Sequence, residues 1–176
     1  MTSSLAPTQH NRRVCLRAGA AWLAVCNLPV RAGAMDDAVP PVTLQASDGE
    51  PVLAEASPWR VTYIDFWASW CAPCKQSFPW MNEIHDKWSS QGLRVAAINL
   101  DRNQPDVLRF LQQNPARFAV ALDPGAVVAK RFNIQAMPTS IIVGPNRAML
   151  FTHRGFRMQD RQDLERRIGG ALVLKS

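Results

Sequence analysis

Cys71 and Cys74, spaced Cys-x-x-Cys, are the residues of this 176-residue sequence whose types and spacing are best suited to chemistry. A disulfide across two intervening residues closes almost no loop, so it restrains the unfolded chain very little. The pair is therefore poorly suited to stapling a fold and well suited to reactive thiol chemistry. A structural zinc site would need two further ligands. Beyond residue 34 the sequence offers only His85 and His153, far apart and in no finger-like spacing. The bland alternative is two small buried hydrophobes. Two other cysteines, Cys15 and Cys26, lie in an N-terminal stretch with the character of a leader.

A reactive pair must be positioned by regular elements, and the sequence alternates strands with helices. Residues 41–45 alternate apolar and polar, Asp48-Gly49 marks a turn, and residues 51–53 return as a hairpin partner. Residues 61–67, rich in β-branched and aromatic side chains, read as a central strand ending four residues before Cys71. Beyond the cysteines Phe78, Met81, Ile84, His85 and Trp88 recur at helical spacing, with a kink expected at Pro79. A second buried strand spans 93–100, a helix 104–113, a short strand 118–122, and a helix opened by Pro124 runs to Phe132. Residues 140–143 form a strand, 144–146 a turn and 148–153 its antiparallel partner. The last helix spans 159–172, with Leu164, Ile168, Ala171 and Leu172 on its apolar face and alternating charges opposite. The pattern predicts one α/β domain with a mixed sheet over residues 35–176.

The formal charge of +6 misleads, because residues 1–34 hold Arg12, Arg13, Arg17 and Arg31 and no acid. The remainder carries 16 basic and 14 acidic groups, so electrostatics nominates no nucleic acid as partner. The first 34 residues read as a cleaved signal peptide. An arginine-bearing start precedes an apolar run over about 18–30, and Ala32-Gly33-Ala34 offers a small-x-small cleavage site before Met35. The run is too short for a membrane span, which takes about 20 apolar residues, so no permanent span is expected in the mature form. Asn11-Arg12-Arg13 fits either a Sec or a twin-arginine signal. Leu23-Ala24-Val25-Cys26 is a weaker match to a lipobox. The expected compartment is the periplasm.

Asp65-Phe66-Trp67-Ala68-Ser69-Trp70-Cys71-Ala72-Pro73-Cys74 resembles the active-site segment of the thioredoxin superfamily. Met137-Pro138-Thr139 resembles its cis-proline loop, and Gly155 matches a glycine that follows the next strand. The leader, the N-terminal hairpin and the extra helix and strand between Asn99 and Pro138 are similar to the TlpA/ResA/DsbE-like branch of exported thiol-disulfide oxidoreductases. The resemblance implies a thioredoxin-like fold: a central mixed sheet flanked by helices, with an N-terminal β-hairpin and a central α/β insertion.

It also implies roles. Cys71, at the exposed N-terminus of a helix starting near Cys74, would be the attacking thiolate, favoured by the helix dipole. Cys74, more buried, would resolve the mixed disulfide, so the two alternate between dithiol and disulfide. Pro73 withholds an amide donor from sulfur, Trp70 would contact partners, and Pro138 would pair its backbone neighbourhood with an extended peptide. Asp65 would relay protons to Cys74; Ala97 stands where cytosolic thioredoxins carry a lysine, and a buried acid without a cation is easier to protonate. Ser77 stands where ResA-like proteins carry a glutamate. His153 and Arg154 lie close to Gly155 and read mainly as surface residues. No cofactor or metal is implied. The expected function is a protein-disulfide reductase, kept reduced by a membrane thiol donor. The alternatives are a dithiol oxidase of folding proteins or, in a different class, a copper-binding or copper-delivery protein. The copper proteins of this fold place three residues between their cysteines, and here there are two.

Overall fold

The computed structural model describes Val39, residues 41–54 and residues 57–174. The expected leader, with Arg12, Arg13, Cys15, Cys26 and the cleavage site after Ala34, lies outside the described residues.

Among the described residues seven strands and four helices follow in the expected order. Strands β1 (Val42–Gln45) and β2 (Pro51–Leu53) form an antiparallel hairpin. The main sheet comprises β3 (Val61–Trp67), β4 (Leu93–Asn99), β5 (Ala119–Leu122), β6 (Thr139–Val143) and β7 (Met149–Arg154), in spatial order β5-β4-β3-β6-β7. Strands β3, β4 and β5 are parallel, whereas β6 and β7 run antiparallel to their neighbours. Every residue of β3 and β4 is buried, as expected for central strands covered on both faces.

Strand alternation sorts the core into two halves. Tyr63 and Trp67 of β3 face Phe78, Trp80 and Ile84 of helix α1 (Ala72–Trp88), Val107 and Phe110 of α2 (Gln104–Gln113), and Leu164 and Ile168 of α4 (Arg161–Leu172). Ile64 and Phe66 face the hairpin's Val42 and Val52 and Val128 of α3 (Val127–Arg131). Trp67, Phe78 and Phe110 form a mutual aromatic triad with centroid separations of 4.6–4.9 Å, directly beneath the end of β3. The predicted mixed sheet, flanking helices, hairpin and inserted helix and strand are all present.

Boundaries differ where local hydrogen bonding outweighs pattern. The helix expected over 124–132 is confined to α3. Pro124 and Gly125 instead complete a turn, Ala126 takes a left-handed φ of 51°, and the Asp123 carboxylate accepts from the amides of Val127 (2.8 Å) and Ala129 (3.0 Å). Helix α1 continues through Pro79 as one element, and the last helix is preceded by a separate short turn over Met158–Asp160.

Candidate active site

Parallel strands β3, β4 and β5 end at the same edge of the sheet, and their last residues and following loops build the site. After Trp67 the chain turns through Ala68, Ser69 and Trp70 before Cys71 caps helix α1. The cap is closed by the Cys74 amide, which donates to Cys71 Sγ at 3.3 Å, and the Cys71 amide donates back to Ala68 O at 3.1 Å. Helix α1 begins at Ala72, two residues ahead of Cys74, so Pro73 falls in the first turn, where its missing N–H costs no helical hydrogen bond.

Cys71 and Cys74 are joined in a disulfide, with S–S 2.00 Å and Cα–Cα 5.3 Å. Cys71 was expected to be exposed, yet it is 5% exposed and Cys74 is 0% exposed. The reason is geometric: the Cys71 side chain folds back over the helix terminus to bond Cys74, and both sulfurs join the apolar cluster beneath. Trp70 takes the exposed position instead, at 72%.

The turn before Cys71 is fastened by a network that the sequence reading did not single out. The Asp101 carboxylate, just beyond β4, accepts from the Ser69 amide (2.8 Å), the Ser69 hydroxyl (3.1 Å) and the Asn99 side-chain amide (2.7 Å). Asn99 Oδ1 accepts in turn from the Asp101 amide at 2.9 Å. The available signal was an Asn-x-Asp at a strand end and a serine two residues before a cysteine, types that bond loop backbone readily.

Asp65 lies midway along β3, in register with Ala97 of β4 and Ser140 of β6. It shares the sheet face of Tyr63 and Trp67, the face that also carries both cysteines. It is 1% exposed, and its Oδ2 has no hydrogen-bond partner among the described residues. Burial pushes its carboxyl well above the ordinary carboxylate range, with no cation to oppose it. Burial, and then the neighbouring Asp65 charge, likewise push the Tyr63 phenol up.

The Met137–Pro138 peptide is cis. Pro138 O accepts from the Gly155 amide at 2.8 Å, with Gly155 at a φ of 81°. Met137, the residue before the cis-proline, packs against the apolar cluster that also holds both cysteines. Ser77 is buried and its hydroxyl donates to Cys74 O at 2.9 Å, a local helical contact. His153 is half-buried beside Asp160, 3.3 Å from Nε2 to Oδ2. Among the described residues no three His, Cys, Asp or Glu side chains converge as a metal-ligating group, and no helix is long and apolar enough to cross a membrane.

Comparison with known proteins agrees with this geometry. Residues 34–168 match the Redoxin family. The chain is 29% identical over 96 residues to the thiol-disulfide oxidoreductase ResA of Bacillus thuringiensis subsp. konkukian, covering 54% of this chain and 56% of that protein. It thus spans little more than half the length of the first curated relatives it matches. With ResA of Bacillus subtilis the identity is 26% over 147 residues, covering 78% and 82%. Among solved structures, a Chlorobium tepidum protein assigned as a thiol:disulfide interchange protein DsbE is 40% identical, with a TM-score of 0.70 over 77% of this chain and 96% of that one. StoA of Bacillus subtilis is 26% identical, with a TM-score of 0.63 over 74% and 98%.

Proposed function

The chain belongs to the Redoxin family, as a TlpA/ResA/DsbE-like member of the thioredoxin superfamily, and from that premise we propose that it is a thiol-disulfide oxidoreductase acting on proteins. The observation that carries this reading is the Cys71–Cys74 disulfide at the N-terminus of α1, in the apolar cluster against which Met137 of the cis-proline loop packs. In the reduced protein Cys71 attacks a partner disulfide, forming a mixed disulfide and releasing one partner thiolate. Cys74 then attacks Cys71, releasing the second partner thiolate and closing the intramolecular bond. The burial difference supports this division, because Cys74 has no exposed surface at which a partner could reach it. Trp70 supplies an exposed aromatic surface beside the attacking sulfur, suited to partner contact. Asp65, once ionised, accepts the proton that Cys74 must lose, and the backbone beside Pro138 pairs with the partner's extended chain.

The finer reading is a periplasmic reductase, exported by the residue 1–34 signal and returned to the dithiol by a membrane thiol donor. Trapping tests both levels at once. Cys74→Ser, expressed from the full-length sequence, should accumulate mixed disulfides with native partners on non-reducing gels, and Cys71→Ser should not. Adducts in the periplasmic fraction should carry an N-terminus at Met35. Adducts on Cys71→Ser alone would reverse the two roles, and a retained leader would overturn the exported form.

A further inference from the structure

On the Pro73 side of the disulfide lies a polar pocket of about 410 Å³. Pro73 forms one wall, and residues 153–157 with Asp160 form the other. The second wall is firmly held. Arg154 pairs with Thr139 in the β6–β7 ladder, and the Gly155 amide bonds Pro138 O at 2.8 Å. Phe156 is 5% exposed and packs on Trp80 with ring centroids 5.3 Å apart. The pocket thus lies against Pro73, which stands between the two cysteines in the chain, and against Gly155, whose amide bonds Pro138 O.

Its charge is unbalanced. Among the described residues Asp160 is the one acid in the lining, and its Oδ2 already accepts from the Arg157 amide at 2.8 Å and faces His153 Nε2 at 3.3 Å. Arg154 and Arg157 are both exposed, and among the described residues neither guanidinium pairs with a carboxylate. The arginines of neighbouring α4 contrast with them: Arg161 pairs with Glu83, and Arg166 and Arg167 pair with Asp163. Two free guanidinium forks at the mouth of a pocket match the geometry of an incoming carboxylate.

We propose that Arg154 and Arg157 make this pocket a specificity site for an acidic side chain adjacent to the disulfide cysteine of the protein substrate. The proposal rests on the thiol–disulfide reading above and names its substrate class. In each turnover the Cys71 thiolate forms a bond to one substrate sulfur and the substrate S–S bond breaks. Cys74, after losing its proton, then attacks Cys71 Sγ: the Cys71–Cys74 bond forms, the mixed-disulfide bond breaks and the second substrate thiolate leaves. The protein loses two electrons, and the substrate gains two electrons and two protons.

The test uses the protein first reduced with dithiothreitol and freed of it. Two synthetic peptides, each with one intramolecular disulfide, differ by Glu or Lys beside the second cysteine. Acid-quenched samples give the second-order rate for each peptide, and the Glu/Lys ratio is read within each protein. The expected ratio is about fivefold at low salt, declining toward one as salt screens the exposed charges. Arg154→Gln/Arg157→Gln should bring it to about one, and Arg154→Glu/Arg157→Glu should invert it. A ratio of one in the unmodified protein, or a ratio unmoved by both double variants, overturns the proposal. Uncharged bis(2-hydroxyethyl) disulfide separates the two levels. If the unmodified protein reduces it without charge preference among the peptides, only the pocket's role falls. If it reduces none of the three, the oxidoreductase reading falls and takes the pocket with it.

Discussion

Asp65 is the residue at which stability and chemistry pull in opposite directions. A carboxyl at 1% exposure, with one oxygen unpaired among the described residues, takes up a proton more readily than an exposed carboxylate, because burial penalises its charged form. Its folded-state pKa exceeds its unfolded value, so its stabilising contribution is complete below about pH 4 and is lost as pH rises toward the folded pKa. Asp65→Asn removes that loss. The variant should match the parent near pH 4 and exceed it at pH 8, by about 1.4 kcal/mol for each tenfold weakening of the buried acid. Urea unfolding at the two pH values measures the difference. The same substitution removes the proton acceptor, so resolution of a Cys71 mixed disulfide should slow by about a hundredfold at neutral pH. A uniform destabilisation at both pH values, with resolution unchanged, would reduce Asp65 to a structural group. The sequence already paired this acid with Ala97, and the β3–β4 register places them side by side. The burial of Cys71 was not legible, because spacing fixes which residue caps a helix but not how its side chain folds back.

At the scale of elements, the joint between β3 and α1 matters most, since its four residues aim the attacking sulfur. Three hydrogen bonds converge on the Asp101 carboxylate, two of them from Ser69, so a loop after β4 clamps the turn after β3. Asp101→Ala leaves the Ser69 and Asn99 donors without this acceptor and should cost about 1–3 kcal/mol. Disulfide exchange should slow with it, because Cys71 loses its fixed position, and amide hydrogen exchange at Ser69 should accelerate while β3 stays protected. Unchanged protection at Ser69 would mean the turn holds itself. Such a clamp joins Ser69 to Asp101 across a whole crossover, and no periodicity carries that pairing. The element order, by contrast, was legible throughout, because buried central strands and amphipathic helices carry strong patterns. Where an end was misread, as at Pro124, the cause was a side-chain contact. The Asp123 carboxylate takes the first amides of α3, and a helix-starting proline is absorbed into a turn.

For the whole molecule, the direction of electron flow is a question about which redox form folds more stably. The disulfide closes only two residues, so it changes the unfolded chain little, and the potential is governed by how the folded protein treats sulfur. A strong oxidant stabilises its reduced thiolate heavily. Here the Cys71 sulfur receives one backbone donor, the Cys74 amide, while Pro73 has none to give and Ala72 adds no charge. Cys74 is wholly buried in an apolar cluster, on the sheet face that also carries the Asp65 carboxyl. The single amide donor favours a thiolate, whereas the proline's missing donor, the uncharged Ala72 and the apolar burial of Cys74 near a carboxyl favour the disulfide over a charged sulfur. The oxidised form should therefore unfold at higher urea than the dithiol form. The potential should lie near about −270 mV, not near about −120 mV, a separation worth roughly 7 kcal/mol at about 1.4 kcal/mol per 30 mV. Paired unfolding curves of the two forms, with equilibration in glutathione buffers, measure both quantities. If the dithiol form proves the more stable, the fold favours the reduced state, electrons flow into this protein, and it serves as a dithiol oxidase of folding partners.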